Sequence, residues 1–133
     1  MEGSARERFD AQPVARLARL APGGVPRVVP ITFAVLGDRI VTAIDHKPKT
    51  TTALARLRDI TADPAVSVLA DHYEDDWTRL WWVRADGHAT VVEHDEAALD
   101  LLAAKYAQYR ERRPEGPVIR IEVTRWSEWS ATP

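Results

Sequence analysis

The chain has 133 residues, of which 45% are hydrophobic and 29% are charged; this composition is typical of a globular domain and excludes a disordered or fibrous chain. Eighteen Lys and Arg against twenty Asp and Glu give a net charge of -2, so the basic excess of a general nucleic-acid coat is absent and any anion site has to be local. The sequence has no cysteine, which excludes disulfides, thiolate nucleophiles and Cys-ligated metal centres.

The start of the chain and its apolar runs lead to expectations about location. The N-terminal sequence MEGSARERFD is charged, and the apolar stretch of a signal peptide does not follow it. No apolar run approaches the roughly 20 residues of a membrane-spanning helix. We therefore expect a cytoplasmic protein that binds neither membranes nor nucleic acid. We also expect one domain over residues 1–133, with residues 1–12 as a short frayed arm or a helical turn.

Short β-strands separated by turn residues are predicted next. Apolar runs at Val14–Ala21 and Val25–Leu36 flank a Pro-Gly-Gly turn. Pro30 lies inside the second run and favours an edge strand or a bulge, because proline cannot donate to a sheet ladder. Gly37-Asp38 predicts a tight turn into a strand at Arg39–Asp45, which is rich in β-branched residues. Such short connections make these strands antiparallel.

A change to helical spacing marks the middle of the chain. Apolar residues recur at this spacing from Leu54 to Ile60, which predicts a helix. Thr51 or Thr52 is placed to cap its start. Asp63-Pro64 is expected to end it, because a residue before proline avoids the α region.

The Asp86-Gly87 pair has two possible interpretations. Strands are predicted before it at Val66–Leu69 and Leu80–Ala85, and after it at His88–Val92. The local chemistry of Asp-Gly favours a type I′ hairpin. The alternative is one long strand that is bent at the glycine.

A second helix and a closing strand complete the predicted elements. The helix covers about Asp95–Arg112 and is broken by Pro114–Pro117, and the strand alternates over Val118–Val123. Its apolar face carries Leu99, Leu102, Tyr106 and Tyr109. Six or seven short strands with two helices predict a mainly β (α+β) fold, a small antiparallel β-barrel with two flanking helices.

The segment His46–Thr52 concentrates groups that attract an anion. Lys47, Lys49, three threonine hydroxyls and the N–H groups of a helix start lie within one turn, and Arg56 follows. A phosphate is the anion that such a group binds most naturally. An ordinary capped helix with solvated lysines is an equally good interpretation of the spacing alone, and the glycines of a Walker loop are missing.

Five tryptophans form the second notable group. Trp77 precedes a strand in which Trp81 and Trp82 point to opposite faces, so one can fill the core while the other meets a second surface. A flat ring system or another subunit would cover that surface. Trp126 and Trp129 are expected to cover an end of the barrel.

The sequence identifies no catalytic side chain. The histidines are scattered, none with the i, i+4 spacing of a helical metal pair, and we expect no metal. His72 with Asp71 and Glu74 is more typical of a solvated acidic loop. No nucleophile motif is present.

Several blocks resemble the pyridoxamine-phosphate-oxidase-like split β-barrel family. They are IVTAIDHKPKT at residues 40–50, LARLRDI at residues 54–60 and DPAVSVL at residues 63–69. The block DDWTRLWWVR at residues 75–84, with Gly87 and Ala89, resembles the actinobacterial branch of deazaflavin-dependent (coenzyme F420) enzymes. The resemblance covers about residues 14–130.

The resemblance implies an FMN-binding type of split barrel, a homodimer with two cofactor grooves at its interface, and one long strand through Asp86-Gly87. It assigns the cofactor phosphate to five residues: Lys47, Lys49, Thr50, Thr51 and Arg56. It places the ring system beside five more: Pro30, Thr32, Thr42, Ala43 and, from the partner subunit, Trp77.

Two departures from the family matter. The arginine-rich final segment of pyridoxamine phosphate oxidases is missing after Trp129, so we do not expect that activity. Thr51 and Asp59 stand where relatives often carry Arg and Asn. The resemblance implies an oxidoreductase in which coenzyme F420 carries a hydride to an unsaturated organic acceptor. The alternatives are an FMN-binding oxidoreductase of the same fold and a non-catalytic carrier of a cofactor or tetrapyrrole.

Overall fold

The computed structural model describes residues 3–44 and 51–132, with the backbone alone at residues 3, 4, 51 and 52. Seven strands are present in the described ranges: β1 Ala15–Ala21, β2 Val25–Ile31, β3 Ala34–Leu36, β4 Arg39–Ala43, β5 Ala65–His72, β6 Trp81–Val92 and β7 Val118–Ser130. Four α-helices accompany them: α1 Gly3–Asp10, α2 Thr51–Ala62, α3 Glu96–Lys105 and α4 Ala107–Glu111. The predicted mainly β, antiparallel fold is confirmed, whereas the prediction of two helices is wrong.

The seven strands form one antiparallel sheet in the order β2-β1-β5-β6-β7-β4-β3. Strands β2 and β3 lie at opposite edges of this order, yet only Thr32 and Phe33 connect them. From Ile31 to Ala34 the chain makes three Cα–Cα steps, which span at most about 11 Å, so the sheet has to curl until its edges come close together. The predicted single strand at Val25–Leu36 is therefore two strands. Pro30 lies in an edge strand, as expected, because among the described residues β2 pairs with β1 alone.

Strand β6 runs without interruption through Asp86-Gly87, so the long-strand interpretation is confirmed and the hairpin is wrong. Its register against β7 shifts between these two residues. A Cβ at Gly87 would collide with the backbone carbonyl oxygen of Glu122. The glycine is thus required for the close approach of two backbones rather than for a turn. The predicted turn at Gly37 is confirmed, with a positive φ of 61° at that residue.

Helix α2 ends directly before Asp63-Pro64, as predicted. Ile60 packs in the core, but Leu54 is 51% exposed, so its place in the predicted apolar stripe is wrong. An ion pair fastens the helix to β1: Arg19 Nε lies 3.1 Å from Asp59 Oδ2, and the side chains are only 7% and 4% exposed.

The N-terminal residues form an eight-residue helix, so the prediction of a frayed arm is wrong. Ala5 and Phe9 of α1 are fully buried. The Phe9 ring packs edge-on against Phe33 and Trp126, with centroids 5.1 Å and 5.3 Å away. These aromatic contacts explain why a polar sequence of low helical amphipathicity docks on the barrel.

The predicted second helix is interrupted at Tyr106, whose φ of -116° and ψ of 122° are extended. Asp95 caps the start of α3 by accepting a hydrogen bond from the Ala98 N–H. Leu102 and Tyr109 are buried on either side of the break. At the break, the Tyr106 hydroxyl forms hydrogen bonds with the backbone of Phe33, which anchor this residue to the β2–β3 connection.

The buried apolar residues form two clusters. One fills the barrel and includes Phe9, Ile60 and Trp81. The other joins α3 and α4 to β3 and β4 through residues such as Leu102 and Val41. Trp82 lies outside both, so the prediction that the adjacent tryptophans serve opposite faces is confirmed. Within residues 3–44 and 51–132, none of the helices combines the length and apolarity needed to cross a bilayer.

Candidate functional site

Two of the predicted ring-binding segments meet where the chain crosses from β2 to β3. The Thr42 hydroxyl donates a hydrogen bond of 2.7 Å to the backbone carbonyl oxygen of Thr32. Thr42 is 2% exposed, and Ala43 is also buried. Their side chains therefore pack inside the protein, and the groups that they can offer a ligand are those of the backbone.

The edge of β4 next to Thr32 extends beyond its pairing with β3. Strand β3 pairs with β4 only as far as Val41, whereas β7 continues to Ala43. Ile44 exchanges both backbone hydrogen bonds with the β7 side, at Gly116 and Pro117. Because backbone groups alternate between the two edges of a strand, those of Ala43 face the opposite side. The β3–β4 register, extended by two residues, brings Thr32 opposite Ala43.

Two tyrosines fix this crossing from outside the barrel. The Tyr109 hydroxyl and Thr32 Oγ1 lie 2.7 Å apart, and either can donate. The Tyr106 hydroxyl accepts from the Phe33 N–H at 3.1 Å and lies 2.9 Å from the carbonyl oxygen of Pro13. Sequence reasoning placed both tyrosines on a helix face but missed this role. The indication in the sequence was the hydroxyl group of each tyrosine, because a phenol on a buried helix face needs a hydrogen-bond partner.

Burial sets the protonation of the groups around the crossing. It raises the pKa of the Tyr106 phenol, which keeps its proton at neutral pH. It lowers the pKa of Lys105, although Asp10, 3.5 Å from the Lys105 ammonium group, counteracts this. The same ammonium group lies 3.7 Å from the centroid of the Phe33 ring. The crossing is thus bordered by a neutral phenol and a paired cation.

The tyrosines enclose a groove that we call the tyrosine groove. Its volume is about 340 Å³. The described residues that line it are Pro13, Val14, Thr32, Tyr106, Gln108 and Tyr109. Because Thr32 borders both this groove and the open edge of β4, the two places share one residue.

The other predicted cofactor residues lie elsewhere. Pro30 is exposed on β2, opposite Arg16 of β1. Arg56 is half-buried on α2. Trp77 is 76% exposed in a single 3-10 turn that the carboxylate of Asp76 caps. Within the described residues, no hydrogen bond or ring contact joins Trp77 to the crossing.

The predicted anion site falls largely outside the described residues. Lys47, Lys49 and Thr50 belong to the undescribed segment 45–50. Thr51 and Thr52 are the first two helical residues of α2, so the prediction that one of them caps the helix from outside is wrong; only their backbone is described. The role of these residues in holding a phosphate stays a prediction.

The outward side of β2, β1, β5, β6 and β7 forms a second surface, which we call the outer face. It holds a depression of about 490 Å³ whose lining includes Arg16, Asp71, Trp82 and Arg84. The charges there are paired: Arg16 lies 3.6 Å from Asp71, and Arg84 lies 3.4 Å from Asp86. Of these residues, the sequence analysis had assigned only Trp82 to a possible contact surface.

Large apolar and aromatic side chains remain exposed on and beside the outer face. Val28 of β2 is 66% exposed and Trp129 of β7 is 42% exposed. Trp82 of β6 lies opposite Trp129 of β7. The Arg84 guanidinium lies over the Trp82 ring, 5.5 Å from the centroid of that ring. Exposed apolar groups on a sheet of paired charges are typical of a protein contact surface.

Known structures of similar fold come from several bacteria. A conserved hypothetical protein of Mycobacterium tuberculosis is 22% identical with a TM-score of 0.76, covering 98% of this chain and 86% of its own. An FAD-binding protein of Mesorhizobium loti is 20% identical with a TM-score of 0.71, covering 96% and 94%. A heme-binding protein of Mycobacterium smegmatis is 20% identical with a TM-score of 0.69, covering 98% and 59%. At these identities the likeness concerns the fold.

The sequence matches a family as well. No curated protein sequence shows a significant match to the chain. The family model described as pyridoxamine 5'-phosphate oxidase, however, matches residues 1–130. This match covers almost the whole chain and agrees with the curled antiparallel sheet. The chain therefore belongs to the pyridoxamine 5'-phosphate oxidase family.

Proposed function

We propose that the protein is an oxidoreductase that binds coenzyme F420 and passes a hydride from it to an unsaturated organic acceptor. One observation carries this proposal: the open edge of β4 at Ala43, beside Thr32, comes directly before the lysine-bearing segment that leads into α2. A hydrogen-bonding edge for a ring and a cationic segment for a phosphate thus follow each other in the chain.

Two kinds of contact support a tricyclic ring as the bound group. The backbone N–H and C=O of Ala43 would suit the polar rim of such a ring, and Pro30 of β2, two residues before Thr32, would supply an apolar contact. Lys47, Lys49, Thr50, Thr51 and Arg56 would hold the phosphate by charge and hydrogen bonds. The bound cofactor supplies the redox chemistry. The protein has to bind and orient it, which accounts for a sequence without an evident catalytic acid or base.

The choice of F420 over FMN rests on the block Asp75–Arg84, which resembles the F420-dependent branch. The FAD-binding protein of similar fold from Mesorhizobium loti supports FMN or another flavin as the alternative. Both FMN and F420 join a phosphate to a tricyclic ring, so the cationic segment suits either. We expect a cytoplasmic enzyme, in keeping with a sequence that contains no cysteine.

The outer face supports a homodimer as part of this proposal. A second copy would cover exposed Val28 and Trp129, and each of the charges beside them would keep its counterion in the contact. As the family resemblance implies, we assign Trp77 of the partner subunit to the ring. A side chain of this size that is 76% exposed is well placed for an intersubunit contact.

A tetrapyrrole carrier without turnover is the second candidate. The similar fold of the heme-binding protein from Mycobacterium smegmatis favours it. Hemin titration separates the two functions: a carrier gives a saturable shift of the heme absorption band and does not oxidise reduced F420.

Turnover of reduced F420 tests the proposed function. The purified protein is mixed with reduced cofactor and a panel of enones, quinones and tetrapyrroles, and reoxidation is followed by the return of F420 absorbance. We expect at least one acceptor to be reduced. Lys49→Ala should weaken F420 binding by about 1–3 kcal/mol through the loss of a charged hydrogen bond, whereas Lys49→Arg should retain most of it. No turnover with any acceptor would contradict the enzyme assignment.

A further inference from the structure

A buried ion pair between β1 and α2 is not among the cofactor contacts described above. Arg19 Nε lies 3.1 Å from Asp59 Oδ2, and the two side chains are only 7% and 4% exposed. Removing two charges from water costs free energy, and apolar side chains of similar volume often stabilise such a place as well or better. The contribution of this pair is therefore to be sought in geometry rather than in stability.

The barrel side of the pair is firmly held. Arg19 lies inside β1, opposite Arg27 of β2 and Val66 of β5, so strands on both sides fix its backbone. Asp59 lies in the last turn of α2, where its carbonyl oxygen accepts a hydrogen bond of 2.8 Å from the Asp63 N–H. The ion pair thus joins a central strand to the end of the helix.

The burial of α2 is concentrated at this end. Asp59 and Ile60 are buried, whereas nearer the start of the helix Arg56 is half-buried and Leu54 is 51% exposed. The apolar contact of Ile60 has no preferred direction. A hydrogen bond between charged groups, in contrast, requires a defined distance and angle. The pair therefore gives the helix a direction that apolar packing at its end would not set.

The start of the helix amplifies any change in this direction. Asp59 follows Thr51 by eight positions, which is about 12 Å along a helix. A rotation of α2 by about 10° around the pair would move its start by about 2 Å, which is more than a hydrogen bond tolerates. The segment that carries Lys47 and Lys49 joins the helix at this start.

We propose that the Arg19–Asp59 pair positions α2: it sets the direction of the helix from the barrel and thereby places the helix start for the cofactor phosphate. The connection to the phosphate rests on the proposed function. Arg56, which that function assigns to the phosphate, precedes Asp59 by three positions and so lies on the same side of the helix. Both members of the pair act through the helix and are positioning residues rather than catalytic ones.

The direction of the helix is tested first, without any cofactor. Arg19→Met/Asp59→Leu replaces the pair by apolar side chains and is expected to fold. Because the chain contains no cysteine, spin labels can be attached at Leu54→Cys on α2 and, in turn, at Leu36→Cys or Tyr73→Cys, all of them exposed positions. Double electron–electron resonance on labelled protein diluted with unlabelled protein measures the distances within one chain. We expect at least one of the two distributions to shift or broaden by about 2 Å in the variant.

The preference for the phosphate tests the consequence for binding. Calorimetry compares F420 with its deazaflavin riboside, which has the same ring and no phosphate. We expect Arg19→Met/Asp59→Leu to bind F420 about 10- to 100-fold more weakly than the wild type, the effect of a lost charged hydrogen bond, and to bind the riboside equally well. The matched control is Arg39→Met/Glu122→Leu, which removes an exposed pair between β4 and β7 and should change neither the distances nor the affinities.

Arg19→Lys keeps the test valid if the double variant fails to fold. It retains a cation beside Asp59 but replaces the planar guanidinium by an ammonium group on a flexible chain, so the same changes should appear at a smaller size. Unchanged label distances, an unchanged affinity for F420, or equal losses for F420 and the riboside would overturn the inference. A wild type that binds F420 no more tightly than the riboside, with changed distances in the variant, would refute the proposed phosphate site alone.

Discussion

The inner and outer faces of β1, β5 and β6 differ in what their side chains do. On the inner face Leu17, Val68 and Val83 are essentially inaccessible to solvent. On the outer face, the next residues along the same strands include Trp82, partly exposed, and Arg16, which is paired with Asp71. The inner face is mostly apolar, with the buried Arg19–Asp59 ion pair at its margin, whereas the outer face mixes large apolar groups with partly exposed ion pairs.

This difference separates stability from recognition. Apolar packing gains free energy from burial and specifies the fold. Exposed aromatic groups among neutralised charges gain nothing until another molecule covers them. Substitutions on the inner side should therefore change the free energy of unfolding, and those on the outer face should mainly change association.

The largest expected effect comes from truncating Phe9, which is fully buried against Phe33 and Trp126. Phe9→Ala should lower the free energy of unfolding by about 4 kcal/mol, because the lost burial leaves a cavity. Trp129→Ala, on the outer face, should cost about 1 kcal/mol or less. Urea denaturation followed by circular dichroism measures both. Equal costs would contradict the separation of the two faces.

The buried ion pair of Arg19 and Asp59 should give the next largest effect. Asp59→Ala leaves the Arg19 charge buried without its partner and should cost about 3 kcal/mol. The matched control is Glu122→Ala, which breaks the exposed pair with Arg39 and should cost less than about 1 kcal/mol. The double variant Arg19→Met/Asp59→Leu should recover most of the stability. Urea titrations of all variants test this order, and a similar cost for Asp59→Ala and Glu122→Ala would refute it.

Asp95 should give a smaller, pH-dependent effect. The Arg120 guanidinium, 2.6 Å from Asp95 Oδ2, lowers the pKa of this carboxyl, and the Ala98 N–H adds to the effect. A carboxyl whose pKa is lower in the folded protein stabilises the fold at pH values above its pKa in the unfolded chain, about 3.9 for Asp. That stability is lost as the pH falls through the folded pKa.

Asp95→Asn should therefore cost about 1 kcal/mol at neutral pH, the usual effect of a weakened helix cap and a lost charged hydrogen bond. The difference from the wild type should shrink as the pH falls below about 4. Thermal unfolding across pH measures it, with the exposed Asp100→Asn as control. A difference that stays constant down to the lowest pH would contradict the assignment.

The smallest effect on monomer stability is expected on the outer face. Trp82→Glu should change the unfolding free energy by less than about 1 kcal/mol but place a buried charge in the proposed dimer contact. Analytical ultracentrifugation should find the wild type as a dimer and Trp82→Glu as a monomer. A monomeric wild type, or a variant that remains dimeric, would remove the outer face as the interface.

Local chemistry predicted much of the fold. The end of α2 at Asp63-Pro64, the edge position of Pro30 and the opposite faces of Trp81 and Trp82 each follow from rules that act within a few residues. The path of β6 through Gly87 did not follow from such local rules. The Asp-Gly pair favoured a hairpin, and only the contact of Gly87 with the β7 backbone explains the continuous strand. The resemblance to the family supplied that information.

The errors have a common physical cause in long-range contacts. Helix α1 depends on the packing of Phe9 against Trp126, far along the chain, and its own residues are too polar to predict it. The division of the predicted strand at Val25–Leu36 into β2 and β3 depends on where their partner strands β1 and β4 lie. The hydroxyl pair of Thr32 and Tyr109 joins residues 77 positions apart, so no local pattern revealed it. The lysines and threonines of the predicted anion site remain a sequence prediction.

Titration of the purified protein with F420 and, separately, with FMN tests the central claim most directly. Cofactor and tryptophan fluorescence report binding. We predict micromolar or tighter binding of F420, with one cofactor per chain, and much weaker binding of FMN. Binding of F420 should also weaken at higher salt, because its anionic tail is longer. A preference for FMN would place the protein among flavin enzymes, and binding of neither cofactor would contradict the proposed function.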